Sequence, residues 1–338
     1  MKIRITGHGG EGRFPFGQSG PWSDFERQVL INGHEICGLS YDEDADAIIS
    51  NSFNSEIEQY MRKSQISQER RILVLWEPYI VERARYLQSV TSQFGTIFAP
   101  SVDWAERVNG RAFKWPQDEF DDDDVFNNWQ KRKKSAVMIQ GNKFSARKGE
   151  LYGLRRRVLR EFSDSQLSLY GTNWNSGIGL DLRHWLSSFF GSMPKDISIT
   201  SAYGLGRSYS KYQGMALDKI KELRKYKISI VIENSADFVS EKLFDSIRAG
   251  CATIYVGPNL ARYGIPDSSA ICSKPNFREI SRDLNYLLQA SDKDLETIAI
   301  QQYDSLKSIS HLWRNSSVLA NLAREMLWIL ESGDLIAK

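Results

Sequence analysis

Short apolar runs alternate with amphipathic segments along most of the chain, and the pattern is clearest over residues 226–257. Residues 228–232 and 252–256 are apolar runs rich in β-branched side chains, which is typical of strands buried on both faces. Residues 240–249 carry apolar side chains at helical spacing, and Gly250 follows as a helix stop. The order strand, helix, strand predicts a parallel pair whose carboxyl ends lie at one edge of a sheet.

The same two patterns recur in both halves of the chain and predict an α/β protein with parallel sheets. Strands are predicted at residues 2–6, 46–50, 71–76, 96–99, 136–140 and 168–170. Helices are predicted at residues 22–31, 56–62, 218–225, 278–288 and 318–330, and one begins near residue 150. An acidic run at 118–124 and a basic run at 131–134 mark the predicted boundary between an N-terminal domain, 1–130, and a C-terminal domain, 131–338.

Length and composition are those of a globular protein. With 338 residues the chain is long enough for two domains, and its net charge of +2 gives no sign of a surface for nucleic acid. The 3 cysteines are scattered without metal-ligand spacing, which is typical of reduced thiols in a cytosolic protein. The chain enters a strand pattern at once and contains no apolar run near the roughly 20 residues that span a bilayer. We therefore expect a cytoplasmic protein without a signal peptide or a transmembrane segment.

One lysine lies where the dipole of its predicted helix disfavours a cation. Ser240 can cap this helix, which places Glu241 and Lys242 in the first turn. A cation there opposes the dipole at a cost of about 0.3–1 kcal/mol, unless an anion lies between the cation and the free backbone N–H groups. Phosphate is the commonest such anion, so Lys242 is either a phosphate ligand or a surface charge that points into water.

A second candidate is the carboxylate of Glu77, which follows the predicted strand 71–76 and precedes Pro78. Catalytic groups of α/β proteins commonly lie at the carboxyl ends of central strands, so Glu77 is well placed to act as a general base. The alternative is an exposed turn residue, and the local sequence leaves both interpretations open.

Two further motifs have simpler interpretations. Residues 7–12, GHGGEG, match a dinucleotide-binding pattern, but prolines and glycines follow where that pattern requires a helix. We interpret these residues as a loop at the end of the first strand. The aspartates within 118–124 resemble a D-x-D metal site, but no buried strand precedes them, so a solvated linker is the preferred interpretation.

The predicted helix near residue 150 is strongly basic. Its six cations cannot share one face of a 3.6-residue repeat, so some of them only add surface charge. They are Arg147, Lys148, Arg155, Arg156, Arg157 and Arg160. Those at the helix start lie at the predicted edge of the sheet and are candidate ligands of a pyrophosphate.

Residues 226–258, YKISIVIENSADFVSEKLFDSIRAGCATIYVGP, resemble the signature block of the α-1,3/4-fucosyltransferase family, glycosyltransferase family 10. Three further segments match that family in the same order: RILVLWEP at 71–78, KFSARKGELYGLRR at 143–156 and LYGTNWN at 169–175. The resemblance is strong over residues 136–290, weaker over 1–130, and closest to soluble members of the bacterial type. The chain departs from the pattern where Ala252-Thr253 replaces a usual proline and where Phe238 replaces a common tyrosine.

This resemblance implies a GT-B fold, in which two Rossmann-like domains with parallel sheets face each other across a cleft. It also implies an inverting transfer of fucose from GDP-fucose to a hydroxyl of a glycan acceptor, with an α-1,3-type linkage. The N-terminal domain would bind the acceptor and carry the catalytic base, and the C-terminal domain would bind the donor. No metal cofactor is implied, and stimulation by a divalent metal is left open.

The resemblance also assigns the cations and one carboxylate of the donor site. Lys242 corresponds to the lysine that meets the donor diphosphate. Glu241 corresponds to the carboxylate that accepts hydrogen bonds from the ribose hydroxyls. An arginine that binds the diphosphate is expected within residues 147–156, where the helix register is ambiguous, and Arg147 and Arg155 are the candidates.

The remaining roles fall on four residues. Glu233 and Asn234 correspond to a pair that lines the nucleotide site. Phe238 corresponds to an aromatic side chain beside the guanine. Glu77 corresponds to the general base, which takes the proton of the acceptor hydroxyl.

The expected partners are GDP-fucose and an oligosaccharide or surface-polysaccharide acceptor, with no nucleic acid. We expect the protein in the cytoplasm, with peripheral contact to the inner membrane surface as a second option. Two other hypotheses stay open: a GT-B glycosyltransferase that uses another nucleotide sugar, and a non-catalytic protein of the same fold that binds a nucleotide or a glycan. A dinucleotide oxidoreductase, suggested by GHGGEG, ranks behind both.

Overall fold

All paired strands in the described part of the chain run parallel to their neighbours. The computed structural model describes residues 1–7, 23–38, 40–120, 124–143, 145, 147–174 and 210–336. Its contacts divide the chain into two units, each built on one parallel sheet: Met1–Glu119 with His311–Lys338, and Phe120–Ser310.

The first unit contains a six-stranded sheet in the order β2-β1-β3-β4-β5-β6. Its strands are β1 (Lys2–Ile5), β2 (Glu35–Ile36), β3 (Ala47–Ser50), β4 (Arg71–Val74), β5 (Thr96–Ala99) and β6 (Arg111–Ala112). Its first four helices are α1 (Ser23–Ile31), α2 (Ser55–Lys63), α3 (Gln88–Thr91) and α4 (Val102–Arg107). The interior position of β4 places the residues that follow it at the carboxyl edge of the sheet.

The second unit contains a five-stranded sheet in the order β11-β10-β9-β7-β8. Its strands are β7 (Lys133–Ile139), β8 (Leu167–Tyr170), β9 (Tyr226–Ile232), β10 (Ala252–Val256) and β11 (Ile271–Cys272). Its helices are α5 (Tyr152–Glu161), α6 (Lys219–Leu223), α7 (Glu241–Arg248), α8 (Phe277–Gln289) and α9 (Asp292–Ile309). The predicted α/β class is therefore confirmed.

The unit β9-α7-β10 has the architecture that its apolar pattern predicts. Every residue of β9 and β10 is buried, and the two strands pair in parallel from Ile228 with Ala252 to Ile232 with Val256. The helix ends where Gly250 adopts a positive φ of 76°, a conformation that glycine reaches without the cost of a Cβ. These features place the start of α7 directly beyond the carboxyl end of β9.

The two units differ from the two predicted domains, first at the boundary between them. The first unit ends at Glu119 rather than near residue 130, because the residues that follow pack on the second unit. The ring of Phe120 lies 5.3 Å from that of Tyr303. Trp129 Nε1 donates to the carbonyl of Gly250 (2.7 Å), which caps the end of α7. The segment before β7 is therefore part of the second unit.

The predicted C-terminal domain, 131–338, is also wrong at its carboxyl end. The last helix, α10 (Asn315–Ile336), belongs to the first unit. One face of the helix joins the hydrophobic core over β1, β3 and β4. Its buried side chains there are Leu319, Leu322, Ala323, Met326, Leu327 and Leu330. A buried apolar face of this size needs a sheet to cover it, and the first unit supplies that sheet.

Three strands and three α-helices of the described structure were not predicted: β2, β6, β11, α3, α4 and α9. Strands β2, β6 and β11 have two residues each, too few for a period-two pattern to show. The 18-residue helix α9 has polar residues between its buried positions, which hides its apolar stripe. A signal was present, because Ser291 caps the helix and Asp294 lies three residues later, in the first turn.

The position of α10 predicts a large stability effect from one side chain. Leu319 is fully buried against the sheet, so Leu319→Ala should lower the free energy of unfolding by about 2–5 kcal/mol. Trp328 lies on the same helix but is 60% exposed, so Trp328→Ala should change it by less than about 0.5 kcal/mol. Urea unfolding followed by circular dichroism measures both. Equal effects of the two substitutions would contradict the packing of α10 on this sheet.

Candidate functional site

The start of α7 carries a lysine that folds back over its own helix. Ser240 has extended backbone angles, and its Oγ accepts from the backbone N–H of Lys242 (3.4 Å), so it is the N-cap. Lys242 Nζ also donates to Ser240 Oγ, at 2.9 Å. The lysine side chain is only 16% exposed, so its cation lies close to the helix N-terminus rather than out in water. A cation and free N–H groups thus meet at one point, which favours an anion there.

The carboxylate of Glu233 holds this cap from behind. The backbone N–H of Ser240 donates to Glu233 Oε1 (2.9 Å), and Ser240 Oγ donates to Glu233 Oε2 (2.7 Å). Glu233 is fully buried, and Lys242 Nζ lies 3.7 Å from its Oε2. A buried carboxylate needs both hydrogen bonds and a nearby cation, and here it has them. Glu233 is thus placed against the cap, where its carboxylate contacts Ser240 and Lys242.

The space around Glu233 is fixed by its neighbours on β10. Tyr255 donates its hydroxyl to Glu233 Oε1 at 3.5 Å. A Cβ at Gly257 would lie 2.4 Å from the Tyr255 hydroxyl oxygen and 2.9 Å from Glu233 Cγ. Only glycine fits at this position without moving the tyrosine or the glutamate. The glycine after β10 therefore helps to keep the carboxylate in place.

Glu241 is the exposed acid of the same helix turn. Its Oε1 lies 3.1 Å from Lys219 Nζ and 3.9 Å from Lys242 Nζ. The positive charge of Lys242, aided by that of Lys219, holds the pKa of Glu241 at about 2, well below its ordinary value of 4.5. The side chain is 39% exposed and ionised at neutral pH, so it is able to accept hydrogen bonds from hydroxyl groups.

Arg155 brings a buried cation to the same edge of the sheet. It is 1% exposed, and its Nε and Nη2 donate to the carbonyl of Ile232 (3.1 and 2.6 Å). Nη2 also donates to Asn234 Oδ1 (2.9 Å), and Nη1 to the carbonyl of Gly141 (3.5 Å). These partners are neutral, and no acidic residue of the described ranges forms an ion pair with it. Burial lowers the pKa of Arg155 to about 10, so it stays charged at neutral pH.

The arginine also bridges two strands that diverge. Strands β7 and β9 pair as far as Val137 and Ser229, before the carboxyl end of either strand. Beyond that point Gln140 Nε2 donates to the carbonyl of Ile230 (3.3 Å), and Arg155 reaches the carbonyl of Ile232. Side chains therefore supply the hydrogen bonds that the separated backbones cannot make.

The loops that follow β7 and β9 lie against each other. The backbone N–H of Leu151 donates to the carbonyl of Asn234 (3.0 Å), and that of Ala236 to the carbonyl of Gly149 (3.2 Å). Arg147 lies half-buried in the first loop, where its N–H donates to Ser145 Oγ (3.3 Å). Phe238, 3% exposed, lies in the second loop. The structure thus brings the predicted donor residues of this unit to one edge of its sheet.

Glu77 belongs to the first unit, three residues beyond β4. It is half-buried, and among the residues that the structure describes its carboxylate makes no hydrogen bond or ion pair. Tyr86 donates its hydroxyl to the Glu77 carbonyl (2.8 Å), which fixes the backbone. Burial lowers the pKa of the half-buried Arg85, and the negative charge of Glu77 acts against that shift. A held backbone with an available carboxylate is what a general base requires.

Polar residues next to Glu77 were missed by the sequence interpretation. Trp76 Nε1 donates to Asn51 Oδ1 (2.7 Å), and Asn51 Nδ2 donates to the carbonyl of Thr6 (2.8 Å). These contacts tie together the carboxyl ends of β4, β3 and β1. The signal for Asn51 was its place directly after β3, where a buried polar residue is unusual.

Some sequence motifs are only partly described. Residues 8–12 of GHGGEG and the aspartates at 121–123 lie outside the described residues. Within the ranges that are described, no three His, Cys, Asp or Glu residues come together as metal ligands. In the same ranges, every helix is too short or too polar to cross a membrane.

Solved structures share this fold over nearly the whole chain. HepE of Anabaena in complex with UDP-glucose matches with a TM-score of 0.56 at 10% identity, covering 97% of this chain and 99% of that one. An α1,3-fucosyltransferase matches with a TM-score of 0.51 at 13% identity, covering 98% and 89%. An α-glucosyltransferase in complex with UDP and a 13-mer DNA matches with a TM-score of 0.52 at 12% identity, covering 100% of both chains.

These likenesses confirm the GT-B fold predicted for two parallel-sheet α/β domains. No protein-family model and no curated protein matches the chain. The solved structures therefore show the fold of the chain, and its function has to be argued from the site itself.

The geometry at α7 predicts a pKa change that nuclear magnetic resonance can measure. Removal of the cation that lowers the pKa of Glu241 most, by Lys242→Met, should raise that pKa from about 2 towards 4.5. In the wild type, the stabilising effect of this ionised carboxylate is present above about pH 4.5 and is lost as the pH falls towards 2. The variant should lose much of that pH-dependent contribution.

The carboxyl ¹³C shift of Glu241 across a pH titration gives the value directly. Lys221→Met removes an exposed lysine of α6 that is no partner of Glu241, so it should leave the titration unchanged. An unchanged Glu241 pKa in Lys242→Met would contradict the electrostatic coupling described here.

Proposed function

We propose that the protein is an inverting fucosyltransferase that moves fucose from GDP-fucose to a hydroxyl of a glycan acceptor. The observation that carries the proposal is the first turn of α7. There the block that resembles the fucosyltransferase signature forms a capped helix, with Lys242 and Glu241 beyond the carboxyl end of β9. In open α/β sheets this is the edge where nucleotides bind.

Positive charge at this edge suits a nucleoside diphosphate. Lys242 and the N–H groups of α7 are the proposed ligands of the diphosphate, and Arg147 or Arg155 is the proposed second cation. Arg155 supports this role because its buried guanidinium donates hydrogen bonds only to neutral groups. These groups can stabilise the negative charge that develops on the departing GDP, so we propose that no metal is required.

The nucleoside would lie beside the remaining predicted residues. Glu241 is proposed to accept hydrogen bonds from the ribose hydroxyls, which its ionised state permits. Asn234 and Phe238 lie in the loop after β9 and are proposed to line the base. Glu233 is proposed to act on the nucleotide indirectly, because its carboxylate holds the Ser240 cap that positions Lys242.

Glu77 is proposed to start the reaction. Its carboxylate would take the proton of the acceptor hydroxyl while that oxygen attacks the anomeric carbon of fucose. The bond between that carbon and the phosphate oxygen breaks on the opposite face, and GDP leaves with the bonding electrons. Attack from the opposite face inverts the anomeric configuration, and the glycan gains an α-linked fucose.

A second candidate is a GT-B glycosyltransferase that uses another nucleotide sugar. It is supported by HepE, whose structure contains UDP-glucose and whose TM-score exceeds that of the fucosyltransferase. Diphosphate contacts do not separate the two, because GDP-fucose and UDP-glucose both carry a diphosphate. For either donor the proposed acceptor is an oligosaccharide or polysaccharide precursor, and the proposed location is the cytoplasm.

A binding panel separates these donors. GDP and GDP-fucose should raise the melting temperature of the protein, whereas UDP and UDP-glucose at equal concentration should not, because only the bound state gains stability. Fucose transfer from GDP-fucose to a glycan array then tests the activity. Stabilisation by UDP alone would contradict the fucose proposal and favour the second candidate.

The role of Glu77 predicts a loss of turnover without a loss of donor binding. Glu77→Gln removes the base, so transfer should fall by about 10²–10⁴-fold while GDP binding is kept. Glu69→Gln changes an exposed glutamate near the amino end of the same strand and should leave transfer unchanged. Full activity of Glu77→Gln would exclude this residue as the base. A wild type that binds GDP yet transfers to no acceptor would favour the non-catalytic hypothesis.

A further inference from the structure

Two amide oxygens beyond the carboxyl end of β7 are buried without a donor. Gln140 and Asn142 are 3% and 5% exposed. Among the residues that the structure describes, neither Gln140 Oε1 nor Asn142 Oδ1 has a hydrogen-bond partner. Buried polar atoms of folded proteins nearly always have partners, so two such acceptors close together in the chain call for an explanation.

The orientation of both amides is fixed by their nitrogens. Gln140 Nε2 donates to the carbonyl of Ile230 (3.3 Å), and Asn142 Nδ2 donates to the carbonyl of Asn173 (3.1 Å). Rotation of either amide by half a turn would place its oxygen against a carbonyl oxygen, which cannot donate. The oxygens are therefore the unpartnered ends of both amides.

The two side chains lie on the same face of the sheet. The backbone N–H of Gln140 donates to Tyr170 (2.9 Å) and that of Asn142 to Thr172 (2.9 Å), so β7 continues its pairing with β8 past its formal end. Side chains two residues apart on an extended strand point to the same face. Thr172 and Asn173 are exposed, so Asn142 lies just beneath the protein surface. The two oxygens are thus acceptors on either side of Gly141 at the carboxyl edge of the sheet, and we refer to them as the acceptor patch.

The chemistry of this patch selects its ligand. Amide oxygens accept hydrogen bonds and repel phosphates and carboxylates, so the ligand must present O–H or N–H groups. The guanidinium of Arg155 links Gly141, which lies between the two amides, to Asn234 after β9. The patch is therefore one strand away from the proposed diphosphate site, and neighbouring strands are about 4.8 Å apart. A sugar joined directly to the second phosphate spans that distance.

We propose that Gln140 and Asn142 form a subsite that binds hydroxyl groups of the donor's sugar. This inference rests on the proposed function, which supplies the diphosphate and its place at α7. Within that function it assigns the two residues to sugar recognition, a role separate from nucleotide binding.

Calorimetric titration of GDP and GDP-fucose against single variants tests the subsite. Gln140→Met and Asn142→Leu remove the amide oxygens at similar volume, so each should raise the Kd of GDP-fucose about tenfold and that of GDP by less than about twofold. Gln302→Met is the matched control. Gln302 is also a buried amide of this unit, but both of its ends are satisfied by Thr253 (2.7 and 3.2 Å). Its loss should not change the ratio of the two Kd values.

A second test uses donors in which one fucose hydroxyl is replaced by fluorine, which cannot donate, and it needs only one variant that folds. At least one such donor should bind the wild type about tenfold more weakly, and that loss should vanish in one of the two variants. This comparison keeps the proposal testable if a variant fails to fold.

Three outcomes would overturn the subsite. Unchanged Kd values for both GDP and GDP-fucose in both variants would mean that the oxygens hold only water. A parallel rise for GDP and GDP-fucose would place the amides at the nucleoside. Both results leave the proposed function standing, whereas a wild type that binds neither GDP nor GDP-fucose would overturn the function and the subsite together.

Discussion

The pair of hydrogen bonds from Ser240 to the buried carboxylate of Glu233 fixes the geometry of the sheet edge where α7 begins. It joins the end of β9 to the start of α7, so the strand and the helix cannot separate without leaving a buried charge unpaired. Lys242 depends on it, because its cation contacts Ser240 Oγ and lies near Glu233. Glu241 depends on Lys242 in turn, because that cation lowers its pKa. Gly257 is required behind the pair, since a side chain there would displace Tyr255 and Glu233.

Two buried charges of opposite sign lie just beyond β9, and among the described residues only Glu233 has a counter-ion within 4 Å. Glu233 has Lys242 as its counter-ion at 3.7 Å. Arg155 is held by carbonyl and amide oxygens alone among the described residues, so its charge remains available to a ligand. An anion bound at this edge would be attracted by the positive charge of Arg155 and would contact Lys242 directly. The same arginine holds the diverging strands together, so a structural and an electrostatic role coincide in one side chain.

The sequence alone predicted those parts of the fold that depend on neighbouring residues in the chain. The strand Ala252–Val256, the cap at Ser240 and the stop at Gly250 were all predicted, because burial, capping and positive φ depend on adjacent residues. The place of α10 could not be predicted, since its apolar face fits either sheet and only tertiary packing decides between them. Likewise, the sequence placed Glu233 at the nucleotide site but could not show that its carboxylate is turned towards Ser240. The unpartnered oxygens of Gln140 and Asn142 have no sequence signal, because burial without a donor is a property of the folded chain.

The central claim is that a nucleoside diphosphate binds at the first turn of α7, and a crystal structure of the protein with GDP tests it most directly. The account predicts a phosphate oxygen within hydrogen-bond distance of Lys242 Nζ and of the first N–H groups of α7. It also predicts that Ser240 and Glu233 keep the hydrogen bonds seen here. A GDP molecule whose phosphates lie elsewhere, with Lys242 still bound to Ser240, would contradict it.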